Sequence, residues 1–265
     1  MPMATVEGGN IHYSISGDGT PLVLLLPQSA GPVGVGPFID GLAQSSTVIR
    51  YDQRGTGQSQ APGDPTAITM PDRAKEVAGL LDALGIRQAS LFCHSTGCGI
   101  GMAFAAAFPE RLTKLVLASP WSHGDGHLTG MQNLRIAAAR ALGPQDYAHF
   151  NASLLFPPDY RRAHAAGFAQ QVTNAQQQDA DQIAGRLGAI LAFDSRPLTP
   201  TITKPTLIIT GADDQLMPAW FGQEISERIH DARYAPLDGG GHMLPETRTD
   251  AVAALTTAFL MNGEN

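Results

Sequence analysis

Two spacings of apolar residues alternate along this chain: short runs that are continuous or period-two, and longer stretches with helical period. Residues 11–16 put Ile11, Tyr13 and Ile15 on one side and end in the turn Gly17-Asp18-Gly19, which predicts an opening hairpin strand. Residues 21–26 are apolar throughout and too few for a helix, so they predict a strand buried on both faces. Runs at 47–52, 89–92, 114–119, 205–210 and 232–237 repeat the theme. Between them, 38–43 predict a short helix. Thr69-Met70-Pro71-Asp72 has the form of a capping box with proline in the first turn. Ala74, Val77, Ala78, Leu81 and Leu84 then keep helical spacing up to Gly85. A small-residue helix follows Ser95 and stops at Pro109, and 250–260 close the chain as an amphipathic helix with Val252, Leu255 and Phe259 inward.

From Trp121 to about Pro197 no strand pattern occurs. Alanine-rich helical segments are expected at 134–142, 160–171 and 176–193, broken by Gly143-Pro144 and Pro157-Pro158. Strands alternating with helices predict an α/β fold, a doubly wound and mainly parallel sheet with its site at the carboxyl ends of the strands. The helical stretch is then an inserted cap over that edge. The expected division is core at 1–121, cap at 122–197 and core again at 198–265.

Composition narrows the function. With 43% hydrophobic and 15% charged residues, the 265-residue chain is globular rather than disordered. A net charge of −7 speaks against nucleic acid as partner, and Arg161-Arg162, the nearest thing to a basic run, reads as a solvated helix face. The amino terminus lacks the form of a signal peptide and no apolar run is long enough to span a bilayer, so a cytoplasmic protein without a membrane partner is expected. The two cysteines, Cys93 and Cys98, suggest neither a disulfide framework nor a metal knuckle and read as buried reduced thiols. No metal or cofactor is expected. The partner is a small molecule, and a homodimer is left open.

The candidate chemistry centres on Leu91-Phe92-Cys93-His94-Ser95-Thr96-Gly97-Cys98-Gly99, an apolar strand running through a serine into a small-residue helix. A serine on such a tight turn exposes its hydroxyl above the sheet, with the next amide, Thr96 N–H, directed at a developing oxyanion. The alternative for Ser95 is a helix-capping role. A serine nucleophile needs a base, and His242, after Asp238-Gly239-Gly240-Gly241 and the last strand, lies at the same sheet edge. An acid to orient that base is available at Asp213 or Asp214, after the strand at 205–210.

Taken together, Cys93-His94-Ser95-Thr96-Gly97, the loop Asp52-Gln53-Arg54-Gly55-Thr56-Gly57-Gln58-Ser59, residues 211–218 and Gly240-Gly241-His242 resemble the α/β-hydrolase fold family over nearly the whole sequence. Cysteine replaces the first glycine of the usual G-x-S-x-G. The resemblance implies Ser95 as nucleophile, His242 as base and Asp214, third after Gly211, as acid, with Asp213 the alternative. It implies a structural role for the D-x-R-G-x-G-x-S loop. Oxyanion donors are expected at the amides of Thr96 and Ser29, with the Gln28 side chain able to donate to substrate.

Residues 94–97, 117–121 and 155–159 are similar to the branch of aminoacrylate hydrolases and 3-oxoadipate enol-lactonases. The implied activity is a serine hydrolase cleaving a small ester, lactone, amide or enamine through an acyl-enzyme on Ser95. The same residues would serve a perhydrolase or a carbon–carbon hydrolase, and the same fold a non-catalytic receptor or cyclase. Trp121 either lines the substrate pocket or packs in the core or at the hinge. Residues 153–160 are expected to pack the cap, and His123, His127, His149 and His164 to be solvated or capping, the alternative for each being contact with a carboxylate-bearing substrate.

Overall fold

The computed structural model describes residues 2–27, 31–60, 64 and 67–262. Its strands are β1 (Met3–Val6), β2 (Gly9–Ser16), β3 (Thr20–Leu25), β4 (Ser46–Tyr51), β5 (Ala89–His94), β6 (Leu112–Ala118), β7 (Thr206–Gly211) and β8 (Ala232–Leu237). They form one eight-stranded sheet in the order β1-β2-β4-β3-β5-β6-β7-β8. Only the β1–β2 and β2–β4 pairings are antiparallel; from β4 to β8 every pair is parallel.

The continuous apolar run of β3 shows why these strands carry no alternation. Leu22 and Leu24 face one layer, with Phe38, Ile39 and Leu42 of α1 (Gly36–Leu42) and Val252, Phe259 and Leu260 near the chain's end. Val23 and Leu25 face the other, with Val77 and Leu81 of α2 (Met70–Ala83) and Ile100 and Phe104 of α3 (Thr96–Ala107). The expected capping box exists: the Thr69 hydroxyl accepts from Asp72 N–H at 3.3 Å, and the Asp72 carboxylate accepts from Thr69 N–H at 3.3 Å. β3 and β5 are neighbours whose following helices, α1 and α3, pack on opposite faces. The crevice between their carboxyl ends is the switch point where a site is expected in a doubly wound sheet.

Between β6 and β7 lie α4 (Gly126–Ala141), α5 (Pro144–Leu155), α6 (Pro158–Ala163), α7 (Ala165–Thr173) and α8 (Ala180–Ala192). Here the helical expectation needs two corrections. Gly143-Pro144 and Pro157-Pro158 do not only end helices: Pro144 and Pro158 occupy the first turns of α5 and α6, where a missing N–H costs nothing. The helix expected across 160–171 is divided at His164 into α6 and α7. After β7, α9 (Ala219–Arg228) precedes β8, and α10 (Leu244–Thr247) and α11 (Thr249–Met261) end the chain. Val252 and Phe259 of α11 are buried as expected. No helix among the described residues is long and apolar enough to cross a membrane.

Candidate active site

Ser95 stands between β5 and α3 with φ 54° and ψ −121°, a conformation that non-glycine residues seldom adopt. The turn is held by Ser95 N–H donating to the Ala118 carbonyl at 3.0 Å and Cys98 N–H donating to the Ser95 carbonyl at 2.8 Å. Close packing explains the small residues around it. A Cβ at position 97 would overlap the Leu25 carbonyl, so only glycine fits there. Cys93, where glycine is usual, is accommodated from the other side: its sulfur fills the space that a Cβ on Gly101 would need. Cys93 and Cys98 are buried free thiols, and burial pushes both thiol pKa values up, so neither is a ready thiolate.

The three expected side chains meet above this edge. Ser95 Oγ lies 2.8 Å from His242 Nε2, and His242 Nδ1 lies 2.8 Å from Asp214 Oδ2. A carboxylate accepts, so Nδ1 carries the imidazole proton and Nε2 is left to receive the serine's. All three residues are buried, at 5%, 2% and 4% exposure. The other Asp214 oxygen, Oδ1, accepts from the amides of Leu216 and Met217, each at 2.9 Å. The neighbouring Asp213 turns the other way and accepts from Gly241 N–H at 2.7 Å. That pair of contacts separates the two aspartates: 214 touches the imidazole, 213 ties down the loop that carries it.

Two further residues fix His242 through its carbonyl. His94 Nε2 lies 2.7 Å from that oxygen and the Ser119 hydroxyl donates to it at 3.1 Å. Because a carbonyl only accepts, His94 is protonated on Nε2, and its buried Nδ1 has no partner among the described residues. Burial, reinforced by the neighbouring His242, depresses the His94 pKa to about 3, so this ring stays neutral. Its position inside the elbow sequence gave no sign of this role.

Glu246, in the turn after His242, was also not singled out by the sequence. Its buried carboxylate accepts from Gly31 N–H at 2.6 Å, from Val33 N–H at 3.1 Å and from the Tyr160 hydroxyl at 3.1 Å. One side chain therefore joins the histidine loop, the loop after β3 and the inserted helices. Burial, with the Glu246 charge beside it, raises the Tyr160 pKa. The two candidates in the loop after β3, Gln28 and Ser29, lie outside the described residues.

The loop after β4, expected to be structural, is tied together by its own polar side chains. Asp52 Oδ2 accepts from Gln58 N–H at 2.9 Å, Ser59 Oγ donates to the Asp52 carbonyl, and Arg54 Nε donates to the buried Glu76 at 2.6 Å.

Ser95, Thr96 and His242 line a cavity of about 170 Å³. That is well below the ~300–1,000 Å³ of sites for drug-sized ligands, and it fits a small molecule. Core loops supply one wall (Pro27, Gln53, Thr56, Leu216 and Met217 among them) and the inserted helices the other. Leu155, expected only to pack the helices, is part of that second wall. Thr96 is the first residue of α3, whose opening N–H groups have no acceptor within the helix.

Trp121 does not line this cavity. It is fully buried, donates its indole N–H to the Ile190 carbonyl at 3.2 Å and packs edge-on against Phe193. Of its two readings the structural one holds, because Gly99 lets the indole sink against α3. His123, His127, His149 and His164 also stand outside the cavity.

A mostly parallel sheet with a Ser–His–Asp hydrogen-bond chain over its carboxyl edge defines an α/β-hydrolase architecture. The alpha/beta hydrolase fold family model matches residues 21–249, and the chain belongs to that enzyme family. A protein of Azorhizobium caulinodans named as carbamate hydrolase RutD is 31% identical over 98% of this chain and 98% of its own length. One of the same name from Caulobacter vibrioides is 32% identical, covering 96% of this chain and 97% of the relative. Among solved structures, the enol-lactonase from Burkholderia xenovorans LB400 superposes with a TM-score of 0.84 at 29% identity, covering 98% of this chain and all of that one.

Proposed function

We propose that this protein is a serine hydrolase cleaving a small ester, lactone, amide or enamine-type substrate through an acyl-enzyme on Ser95. The observation that carries the reading is the unbroken chain from Ser95 Oγ through His242 to Asp214, opening into a cavity of small-molecule size. Ser95 Oγ attacks the substrate carbonyl as His242 Nε2 takes its proton, and Asp214 stabilises the resulting imidazolium. His242 returns that proton to the leaving group. A water, deprotonated by the same nitrogen, then releases the acid and regenerates Ser95. Thr96 N–H is one oxyanion donor in this scheme, and Ser29 N–H is the second expected from the sequence.

Relatives named for carbamate hydrolysis and for enol-lactone hydrolysis support a substrate with a polarised carbonyl, and the cavity's size supports a small one. The residues at 122–197 act as a cap in this reading. A fluorophosphonate probe tests it: the folded protein should be labelled on Ser95, with labelling lost in Ser95→Ala. Absence of label on the folded wild type would instead favour a ligand-binding role without turnover.

A further inference from the structure

The cavity is electrically lopsided. Arg73, Arg135 and Arg186 all line it, and no aspartate or glutamate does among the described residues, in a chain whose net charge is −7. Arg73 is accounted for, since its guanidinium lies 3.5 Å from Glu76 and donates to the Arg54 carbonyl at 2.8 Å. Arg135, on α4, is not. It donates through Nη1 to Gln132 Oε1 at 3.0 Å, but its Nε is cut off from solvent with no hydrogen-bond partner, and no carboxylate pairs with it among the described residues.

A guanidinium that has lost water and gained no anion is costly, and the cost is increased by the like charge of Arg186 on α8, which also faces the cavity. On α5, the buried Oδ1 of Asn151 is likewise unpartnered at the same wall. Arg135 and Asn151 thus both line the space that Ser95 reaches, and each keeps a buried polar atom, Nε in one and Oδ1 in the other, that nothing among the described residues satisfies.

Resting on the hydrolase reading above, we infer that Arg135, with Arg186 beside it, is an anion subsite that binds a carboxylate carried by the substrate. A planar fork is suited to a carboxylate, which takes two parallel N–H donations from one guanidinium. The carboxylate meets the helical wall while the scissile carbonyl meets Ser95 on the core wall. The substrate class is therefore a short acid bearing a second, hydrolysable acyl function. The inserted helices select for charge, and the core loops do the bond-breaking.

Matched esters test this: p-nitrophenyl hemisuccinate, which carries a carboxylate, against the neutral p-nitrophenyl butyrate. The wild type should favour the hemisuccinate in kcat/KM, and Arg135→Met should collapse that preference at least about ten-fold through KM, the scale of one lost charged hydrogen bond. Arg135→Lys, keeping charge without the fork, should fall between. No preference in the wild type, or an unchanged ratio in Arg135→Met, overturns the inference.

A binding arm is independent of turnover. By calorimetry glutarate should bind the wild type and bind Arg135→Met at least about ten-fold more weakly. If neither ester is hydrolysed but glutarate binds and the substitution weakens it, the hydrolase reading fails and the subsite stands. If glutarate does not bind the wild type, the subsite fails whatever the esters do. Thermal unfolding separates binding from scaffolding: removing an uncompensated buried charge should leave Tm unchanged or higher, whereas loss of a structural arginine would lower it.

Discussion

The core edge and the inserted helices meet at one cavity but are built on opposite principles. At the core edge nearly every polar group is spoken for. Both oxygens of Asp214, both ring nitrogens of His242 and the His242 carbonyl all have partners. On the helical side, α6 buries no residue and α7 only Phe168, while Arg135 and Asn151, which line the cavity, each keep a buried polar atom without a partner among the described residues. The difference teaches where rigidity is needed: groups that exchange a proton must be held within hydrogen-bond reach, whereas groups that select a ligand can wait for it.

The two regions are fastened at a few points. His242 N–H donates to the Leu155 carbonyl at 3.0 Å, the Trp121 indole reaches Ile190, and Glu246 holds Tyr160.

The contrast can be broken hardest at the core edge. Asp214→Asn is expected to lower kcat by about 10⁴-fold, since an amide supports the wrong imidazole tautomer. Asp213→Asn, one residue away, should cost no more than about ten-fold, because it loosens a loop contact and leaves the tautomer alone. Steady-state kinetics on one activated ester compares them, and equal losses would erase the distinction between the aspartates.

A second test reads the core edge through pH. His94 stays neutral in the folded protein down to about 3, while in the unfolded chain it takes up a proton below about 6.5. Its contribution is therefore intact above pH 6.5 and is lost as pH falls toward 3. Between pH 7 and 5 this costs about 2 kcal/mol of folding stability. Urea unfolding at both pH values should show that much more pH sensitivity in the wild type than in His94→Gln.

The smallest effect is expected where core and helices join. Glu246→Gln keeps the side chain's shape but replaces an oxygen that accepts from backbone N–H with a donor. It should lower kcat about ten-fold by loosening the loop after β3. Tyr160→Phe, which removes only the link to the helices, should cost about 1 kcal/mol of stability and little kcat. If Tyr160→Phe matched Glu246→Gln in kcat, the helical wall would be part of the positioning machinery and the contrast would blur.

Much of this was legible in the residues. β8 coincides with its expected run, β3, β4 and β7 are displaced by a residue at their ends, and Thr69 caps α2 as its spelling suggests. Elements that escaped notice have identifiable causes. β1 is a four-residue edge strand stabilised by its pairing with β2. α5 begins at a proline that reads as an interruption, and its buried residues are only Tyr147, Leu154 and Leu155, too sparse to announce a helical face.

The chain's own order of residues determined the sheet, the alternation of layers and the loops on which Ser95, His242 and an aspartate would lie. Those depend on local apolar spacing and on turn chemistry, both of which are written within a few neighbouring positions. Only tertiary structure decided that Asp214 rather than Asp213 reaches the imidazole, that Trp121 fills the core rather than the cavity, and that Arg135 faces Ser95's cavity without an acid. Each of those is a matter of which way a side chain points relative to a segment distant in sequence, and direction in space is set by packing between elements, which local spacing does not encode.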